Sequence, residues 1–290
     1  MKVAILILAH KNREQLLMLT DHLRADFDVY VHIDRQSRWT IPEQPNLHVL
    51  KNRHSTYWGA YTALLATLDL YRAAYNKGCD YYLLISGQDM PLMKNSDILD
   101  FIKTHYEDRL DHHLLPKEIW PLRGGLDRVA LFWETKYESN KKGIMQLLMF
   151  PVKAAFGLFR YMQRITGLRR SVPFPLWGGE VWMNLTREAV AYILSFTDKN
   201  SWYNRHFKFT RCADEIFFHT ILSAFDYKGK DNIVNDSMRY IDWSSGPEYP
   251  KMLTMEDYEK CTRSGKFFGR KFDIQTDGQV INKLLSAASA

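Results

Sequence analysis

The sequence predicts an α/β fold: a Rossmann-type, mixed but mostly parallel twisted sheet flanked by helices. Three observations carry that expectation. Residues 2–9, apolar throughout after Lys2, have the length and composition of a strand buried on both faces. Apolar residues at helical spacing over 13–24 and a second strand over 28–33 follow at once, and strand, helix, strand in succession is a parallel unit within one sheet. A further apolar run, Tyr81–Ser86, stops where Gly87 and Pro91 force a turn, at the carboxyl edge where open α/β sheets bind ligands.

In chain order, Leu16, Leu17, Leu19, His22 and Leu23 give the first helix one inward face. Pro42 and Pro45 mark a loop, Leu47–Leu50 a short third strand, and Gly59–Asn76 a long amphipathic helix that ends at Gly78. Ser96 is placed to cap a helix over Ser96–His105, and a strand is expected near Val129–Glu134. From Lys141 to Arg170 the chain is basic and apolar. Ile144, Leu147, Leu148, Val152, Ala155, Phe156, Phe159 and Met162 fall mostly on one helical face, opposite Lys141, Lys142, Lys153, Arg160 and Arg164, and Pro151 is expected to interrupt or kink the helix. Helices over Arg187–Phe196 and Asp214–Phe225 follow, then a strand near Ile233. Thr254 caps a short helix, with Asp257 completing an approximate capping box, and a terminal helix closes the chain. Residues 1–290 are expected to form a single domain with a basic helical insertion at about 137–171.

A hydrophobic fraction of 46% and a charged fraction of 25% exclude a disordered chain. The net charge of +6 favours an anionic partner. The basic residues are spread out and no nucleic-acid module is present, so nucleic acid is not an expected partner. Cys79, Cys212 and Cys261 are odd in number and lack paired short spacing, which supports neither a disulfide framework nor a zinc knuckle and points to a reducing cytoplasm. The first apolar run is too short to span a membrane and has no cleavage site after it.

Arg211-Cys-Ala-Asp-Glu-Ile-Phe-Phe-His219, with Arg239 and Lys271 downstream, supplies one carboxylate able to take a proton and two cations able to hold a diphosphate. Glu215 reads equally as a first-turn carboxylate favoured by a helix dipole. Arg239 and Lys271, set among aromatic and aliphatic neighbours, read equally as snorkelling cations or partners of a nearby Asp. The fourth strand ends in Gly87-Gln88-Asp89 with a single carboxylate; the one Asp-x-Asp, Asp26-Phe-Asp28, precedes the second strand and belongs to the opposite sheet edge. The histidines have no ligand spacing, so no metal is expected. Asp34 ends the second strand, where an acid meets a nucleoside or caps a loop. His54-Ser-Thr-Tyr-Trp58-Gly59-Ala60 lies between a strand and a helix, either near an anion or as an aromatic plug.

These residues, in this order, resemble the core-2/I-branching glycosyltransferase family, which includes β-1,6-N-acetylglucosaminyltransferases and peptide O-xylosyltransferases. The shared pattern comprises Ala9-His10-Lys11, Val31-His-Ile-Asp34, Trp58-Gly59, Ser86-Gly-Gln-Asp-Met-Pro-Leu92, Trp177-Gly-Gly-Glu-Val-Trp182, Asp214-Glu215, Arg239-Tyr-Ile-Asp-Trp243 and Arg270-Lys-Phe-Asp273. The resemblance implies a GT-A-like fold, inversion at the anomeric carbon and a metal-free reaction with a UDP-sugar as co-substrate. By the same resemblance Glu215 is the catalytic base, Arg239 and Lys271 bind the donor diphosphate, and Asp34 with His10 contacts the nucleoside. Trp58, Gly59, Gln88 and Asp89 are further donor-site candidates, and Glu180, Trp182 and Trp243 are acceptor-site candidates.

Animal members carry an anchor and disulfides that this sequence lacks, so the expectation is a bacterial, cytoplasmic protein. The expected reaction transfers N-acetylglucosamine, or alternatively xylose, to a free or lipid-linked glycan of a surface polysaccharide. The segment 141–170 is expected either to rest on the inner face of the cell membrane or to serve as a core helix or acceptor lid. A sugar- or lipid-binding module without catalysis is the alternative function.

Overall fold

A computed structural model describes residues 1–134, 144–246 and 249–289, without side chains for 144–149. Its frame is a sheet of β1 (Val3–Ala9), β2 (Asp28–Ile33), β3 (Leu47–Val49) and β4 (Tyr81–Ser86), joined through helices α1 (Arg13–Leu23) and α2 (Tyr61–Asn76). After β5 (Met90–Pro91) and α3 (Asn95–Thr104) come β6 (Arg109–Leu110), β7 (His113–Leu114), and the short helices α4 (Pro121–Gly124) and α5 (Leu126–Ala130). Helix α6 (Ile144–Thr166), β8 (Trp177–Gly178), β9 (Met183–Thr186), α7 (Arg187–Lys199), α8 (Ser201–Phe207) and α9 (Phe217–Ala224) follow. The chain ends with β10 (Arg239–Ile241), α10 (Tyr258–Thr262), β11 (Phe268–Arg270) and α11 (Ile274–Ser289).

The main sheet runs β3-β2-β1-β4-β9-β6. The first four strands are parallel, and β9 is antiparallel to both β4 and β6, so the sheet is mixed and mostly parallel, as the apolar runs predict. Strand alternation divides the core cleanly. Ala4, Leu6, Tyr82 and Leu84 point to one side, where α2, α7 and α9 pack. Val3, Ile5, Ile7, Leu83 and Ile85 point to the other, with α1, α3 and α11. Because strand order reverses direction between β1 and β4, their carboxyl ends frame the crevice of a topological switch point. A second sheet, β10-β11-β5, lies beside it and carries Arg239 and Arg270 on neighbouring strands.

Several local expectations are corrected. Val129–Glu134 is not a strand: Val129 is buried on α5, which begins after Gly125 turns the chain at φ 93°. Ser96 does not cap α3; the helix starts at Asn95, whose amide is spent on the His22 carbonyl and Asp26, and Ser96 bonds Asp97 instead. The expected strand at Ile233 is a 3-10 turn over Lys230–Asn232 followed by one bridge from Val234 to Arg109. Pro151 does not break α6, which continues through it to Thr166. Lys141 and Lys142 lie outside the described residues. The Thr254 capping box is formed, its backbone amide donating to Asp257 at 3.1 Å.

Candidate active site

At the carboxyl ends of β1, β2 and β4 the sequence places His10, Asp34 and the Gly87-Gln88-Asp89 turn. The turn is tied down. Gly87 donates to the Leu8 carbonyl at 3.0 Å, and a Cβ there would lie 3.4 Å from that of Ala9. Gln88, almost fully enclosed, exchanges hydrogen bonds with Phe272, donating from Nε2 at 3.3 Å and accepting from the Phe272 amide at 2.9 Å. Its work is therefore to fix the 270–273 loop, and with it Lys271. Ser86 donates to Asp89 Oδ1 at 2.6 Å.

Asp89 lies under two guanidinium groups: Arg239 Nη1 is 3.5 Å from Oδ2 and Arg270 Nη1 is 3.7 Å from Oδ1. The Asp89 and Arg239 side chains are both 0% exposed. Arg239 sits between the Phe268 ring at 5.0 Å and the Trp182 ring at 5.8 Å, donates from Nη2 to the Leu84 carbonyl, and leaves Nε and Nη1 without a hydrogen bond among the described residues. Burial lowers its pKa to about 10 against the opposing pull of Asp89. Arg270 lies 4.1 Å from the same Trp182 ring and keeps a small exposed edge. Lys271 is half-buried and carries no ion pair among the described residues; burial, then Arg270 and Lys11, lower its pKa. The same cationic group reaches His10, whose pKa is lowered by burial, then by Lys11 and Lys271. Lys11 is itself held by Asp273 at 2.5 Å. Positive charge is thus concentrated at the switch point, where an anion would find it preorganised.

Asp34 is a loop cap in this structure. Its Oδ1 accepts from the Gln36 amide at 2.6 Å and its Oδ2 from both the Thr56 amide at 3.0 Å and the Thr56 hydroxyl. A carboxylate has further lone pairs, so contact with a nucleoside is not used up by these bonds.

The second part of the site is built on irregular backbone. Ala213–Glu215 is one 3-10 turn, so the expected helix over 214–225 begins only at Phe217. Cys212, at φ 49°, donates its amide to the Gly59 carbonyl at 2.8 Å. Gly59, at φ 67°, has Cys212 Sγ only 3.2 Å from where a Cβ would stand. Gly59 is therefore a structural hinge of the Glu215 turn. On the other side, Gly179 donates to the Glu215 carbonyl at 2.9 Å.

The Glu215 side chain remains 30% exposed, and Arg128 Nη1 lies 2.5 Å from its Oε2. Oε1 accepts no hydrogen bond among the described residues, which leaves a lone pair for an incoming hydroxyl. Burial raises the Glu215 pKa, and Arg128, Lys117 and Arg211 oppose it without cancelling it. A carboxylate more basic than usual is the better proton acceptor for an attacking hydroxyl. Arg128 is packed 4.1 Å from the Trp120 ring, over which Lys117 also lies at 5.6 Å. Neighbouring Asp214 is pushed up to about 7 by burial and by Glu215.

Glu180 joins the two parts. Its amide donates to Asp111 at 3.2 Å, its Oε2 accepts from Ser237, and its carboxyl pKa is raised by burial and Asp111 against the pull of Arg239 and Arg270. Trp182 covers the two arginines. Trp58 stands nearer Glu215: its exposed ring shares Arg211 with Trp133, at 5.4 Å and 5.1 Å. Trp243 is exposed beyond β10 and makes no ring or cation contact among the described residues. Asp26 and Asp28 stay apart from all of this, bound to Asn95 and paired with Lys2 at 3.5 Å. Among the described residues no three His, Cys, Asp or Glu side chains converge as a metal site.

Sequence reasoning missed Arg128, Lys117 and Trp120, which come from the segment it read least well. Arg270 was visible only as part of a motif. Its pairing with Asp89 across β5 and β11 needs the three-stranded sheet to be known.

The Core-2/I-Branching enzyme family signature matches residues 3–264. Among similar curated proteins are the Arabidopsis thaliana Beta-glucuronosyltransferase GlcAT14B, 24% identical over 71% of this chain and 43% of its own length, and the Caenorhabditis briggsae Xylosyltransferase sqv-6, 21% identical over 87% of this chain and 32% of its own. Xylosyltransferase oxt of Drosophila pseudoobscura pseudoobscura is 21% identical over 88% of this chain and 29% of its own length. This chain therefore spans less than half the length of each of those relatives. A mostly parallel sheet of GT-A-like form and a signature running over nearly its whole length give the same answer: the chain belongs to the Core-2/I-Branching enzyme family.

Proposed function

We propose that this protein is an inverting glycosyltransferase that moves a sugar from a UDP-sugar to a hydroxyl of a glycan acceptor without a metal ion. The observation that carries this reading is the pairing of a solvent-open, raised-pKa Glu215 with the cation cluster of Arg239, Arg270 and Lys271 through the short Gly178–Trp182 segment. In the reaction, the acceptor oxygen loses its proton to Glu215 and bonds the anomeric carbon from the face opposite the leaving group. The bond from that carbon to the β-phosphate oxygen breaks, and UDP departs with the electron pair. Lys271 and Arg270 neutralise the charge that gathers on the diphosphate, and Arg239 adds its field from behind Trp182. Asp34 and His10 lie where the nucleoside would end, and Glu180, Trp182 and Trp243 border the acceptor.

N-acetylglucosamine is the first donor sugar to test, with xylose and glucuronic acid beside it because curated relatives are named as xylosyl- and glucuronosyltransferases. We place the reaction in the cytoplasm, in assembly of a bacterial surface polysaccharide; the three cysteines, all buried free thiols, fit that setting. The direct test is a screen of UDP-sugars for slow hydrolysis and for transfer to sugar acceptors, with and without EDTA. Turnover of one donor that survives EDTA is the expected result. No turnover with any donor, alongside retained sugar binding, would instead indicate a binding module, and activity restored only by manganese would remove the metal-free step.

A further inference from the structure

We propose that the outward face of α6 is a docking surface for an anionic lipid bilayer. Gln163, almost fully enclosed, fastens the helix to the body of the protein by accepting from the Phe132 amide at 3.0 Å, and on the same side the partly exposed Phe159 ring lies 6.2 Å from that of Phe132. At 3.6 residues per turn, Phe150, Tyr161, Ile165 and Leu158 then fall within an arc of roughly 80° on the opposite side. Each is between 58% and 68% exposed, in a protein whose other large apolar side chains are mostly enclosed. Single exposed apolar residues are ordinary, but a continuous stripe of them along one helix is the mark of an interaction surface.

The charge beside that stripe selects the partner. Lys153, Arg160 and Arg164 line one edge of the helix, and α6 contains no acidic residue. Two copies packed through this face would bring like charges together, whereas anionic headgroups complement it. Among the described residues no helix is long and apolar enough to cross a membrane, so α6 would lie in the interface, its aromatic and aliphatic side chains among the acyl ends. The placement is also useful. Arg160 lies 5.2 Å from the Trp133 ring, and Trp133 shares Arg211 with Trp58, so the docked edge adjoins the Glu215 side of the site. A lipid-linked glycan would arrive there. The docking itself does not depend on which sugar is transferred, or on transfer at all.

The test is flotation of the full chain with phosphatidylcholine vesicles, with and without phosphatidylglycerol, at low and high salt. Binding is expected only with the anionic lipid and is expected to weaken as salt rises. The double variant Leu158→Glu, Ile165→Glu alters two exposed side chains and is expected to keep the wild-type thermal transition while binding roughly tenfold or more weakly, the scale of losing two buried apolar side chains. Arg164→Glu is expected to weaken binding by less. Absence of wild-type flotation, or equal flotation of the double variant, would overturn the proposal. So would a wild-type dimer in sedimentation that the double variant dissolves, since the face would then belong to a second copy.

Discussion

Two arginine–carboxylate pairs stand in the two parts of the site, and they are held by opposite means. Arg239 and Asp89 are wholly enclosed, 3.5 Å apart, and anchored at strand ends. Arg128 and Glu215 are closer, at 2.5 Å, yet 30% of the Glu215 side chain meets solvent and the backbone beneath it is a 3-10 turn pinned by Gly59 and Gly179. The enclosed pair meets no solvent, so it bears on an anion only through its field, and it ties together the strand ends beside Arg270 and Lys271. The open pair retains an oxygen, Oε1 of Glu215, that accepts no hydrogen bond among the described residues. Charges removed from water must be satisfied by one another, whereas charges left at a surface stay available.

The comparison breaks first if the enclosed pair proves dispensable. Asp89→Ala leaves Arg239 buried without its carboxylate and is expected to lower unfolding stability by about 3–5 kcal/mol. Urea denaturation measures this, and an unchanged midpoint would mean the pair is not a frame. Next in size, Lys271→Ala or Arg270→Ala removes a charged contact to the diphosphate. Each is expected to cost about 1.5–3 kcal/mol, or roughly tenfold or more in UDP affinity by calorimetry; Lys271→Ala does so with little loss of stability, whereas Arg270→Ala also removes a partner of buried Asp89.

Arg128→Gln sharpens the other side. Glu215 must be deprotonated to act, so the rate falls as pH drops through its raised pKa; Arg128 now holds that pKa down, and removing its charge moves the acid limb to higher pH. A pH–rate profile with an unmoved limb would free Glu215 from Arg128. A last effect, on stability and not on binding, belongs to Asp214. Its carboxyl, pushed up to about 7, favours the folded state below the ordinary carboxylate range, and that contribution is lost as pH rises towards 7. Asp214→Asn is expected to flatten this slope in stability between about pH 4 and 7, read from thermal unfolding across pH.

The same contrast explains what the sequence disclosed. Runs such as Val3–Ala9 and Tyr81–Ser86 are buried on both faces, so composition alone marks them as strands, and the crevice at their ends follows from topology. The stretch from His113 to Ala130 has no period to read. Its shape comes from Gly124 and Gly125 at positive φ and from Trp120 packing under Arg128. Arg128 is brought to Glu215 from 87 residues away by tertiary contacts that local pattern does not encode. Asp34 shows the reverse limit: its position was legible, but its engagement with Thr56 was not.

The most direct test of the whole account is to measure turnover and UDP affinity together in Glu215→Gln. A base in the open region, separate from the cations of the framed one, requires turnover at saturating donor and acceptor to fall by about 10²–10⁴ while UDP binds as in the wild type. Wild-type turnover, or a loss of UDP affinity that accounts for the lost rate, would contradict it.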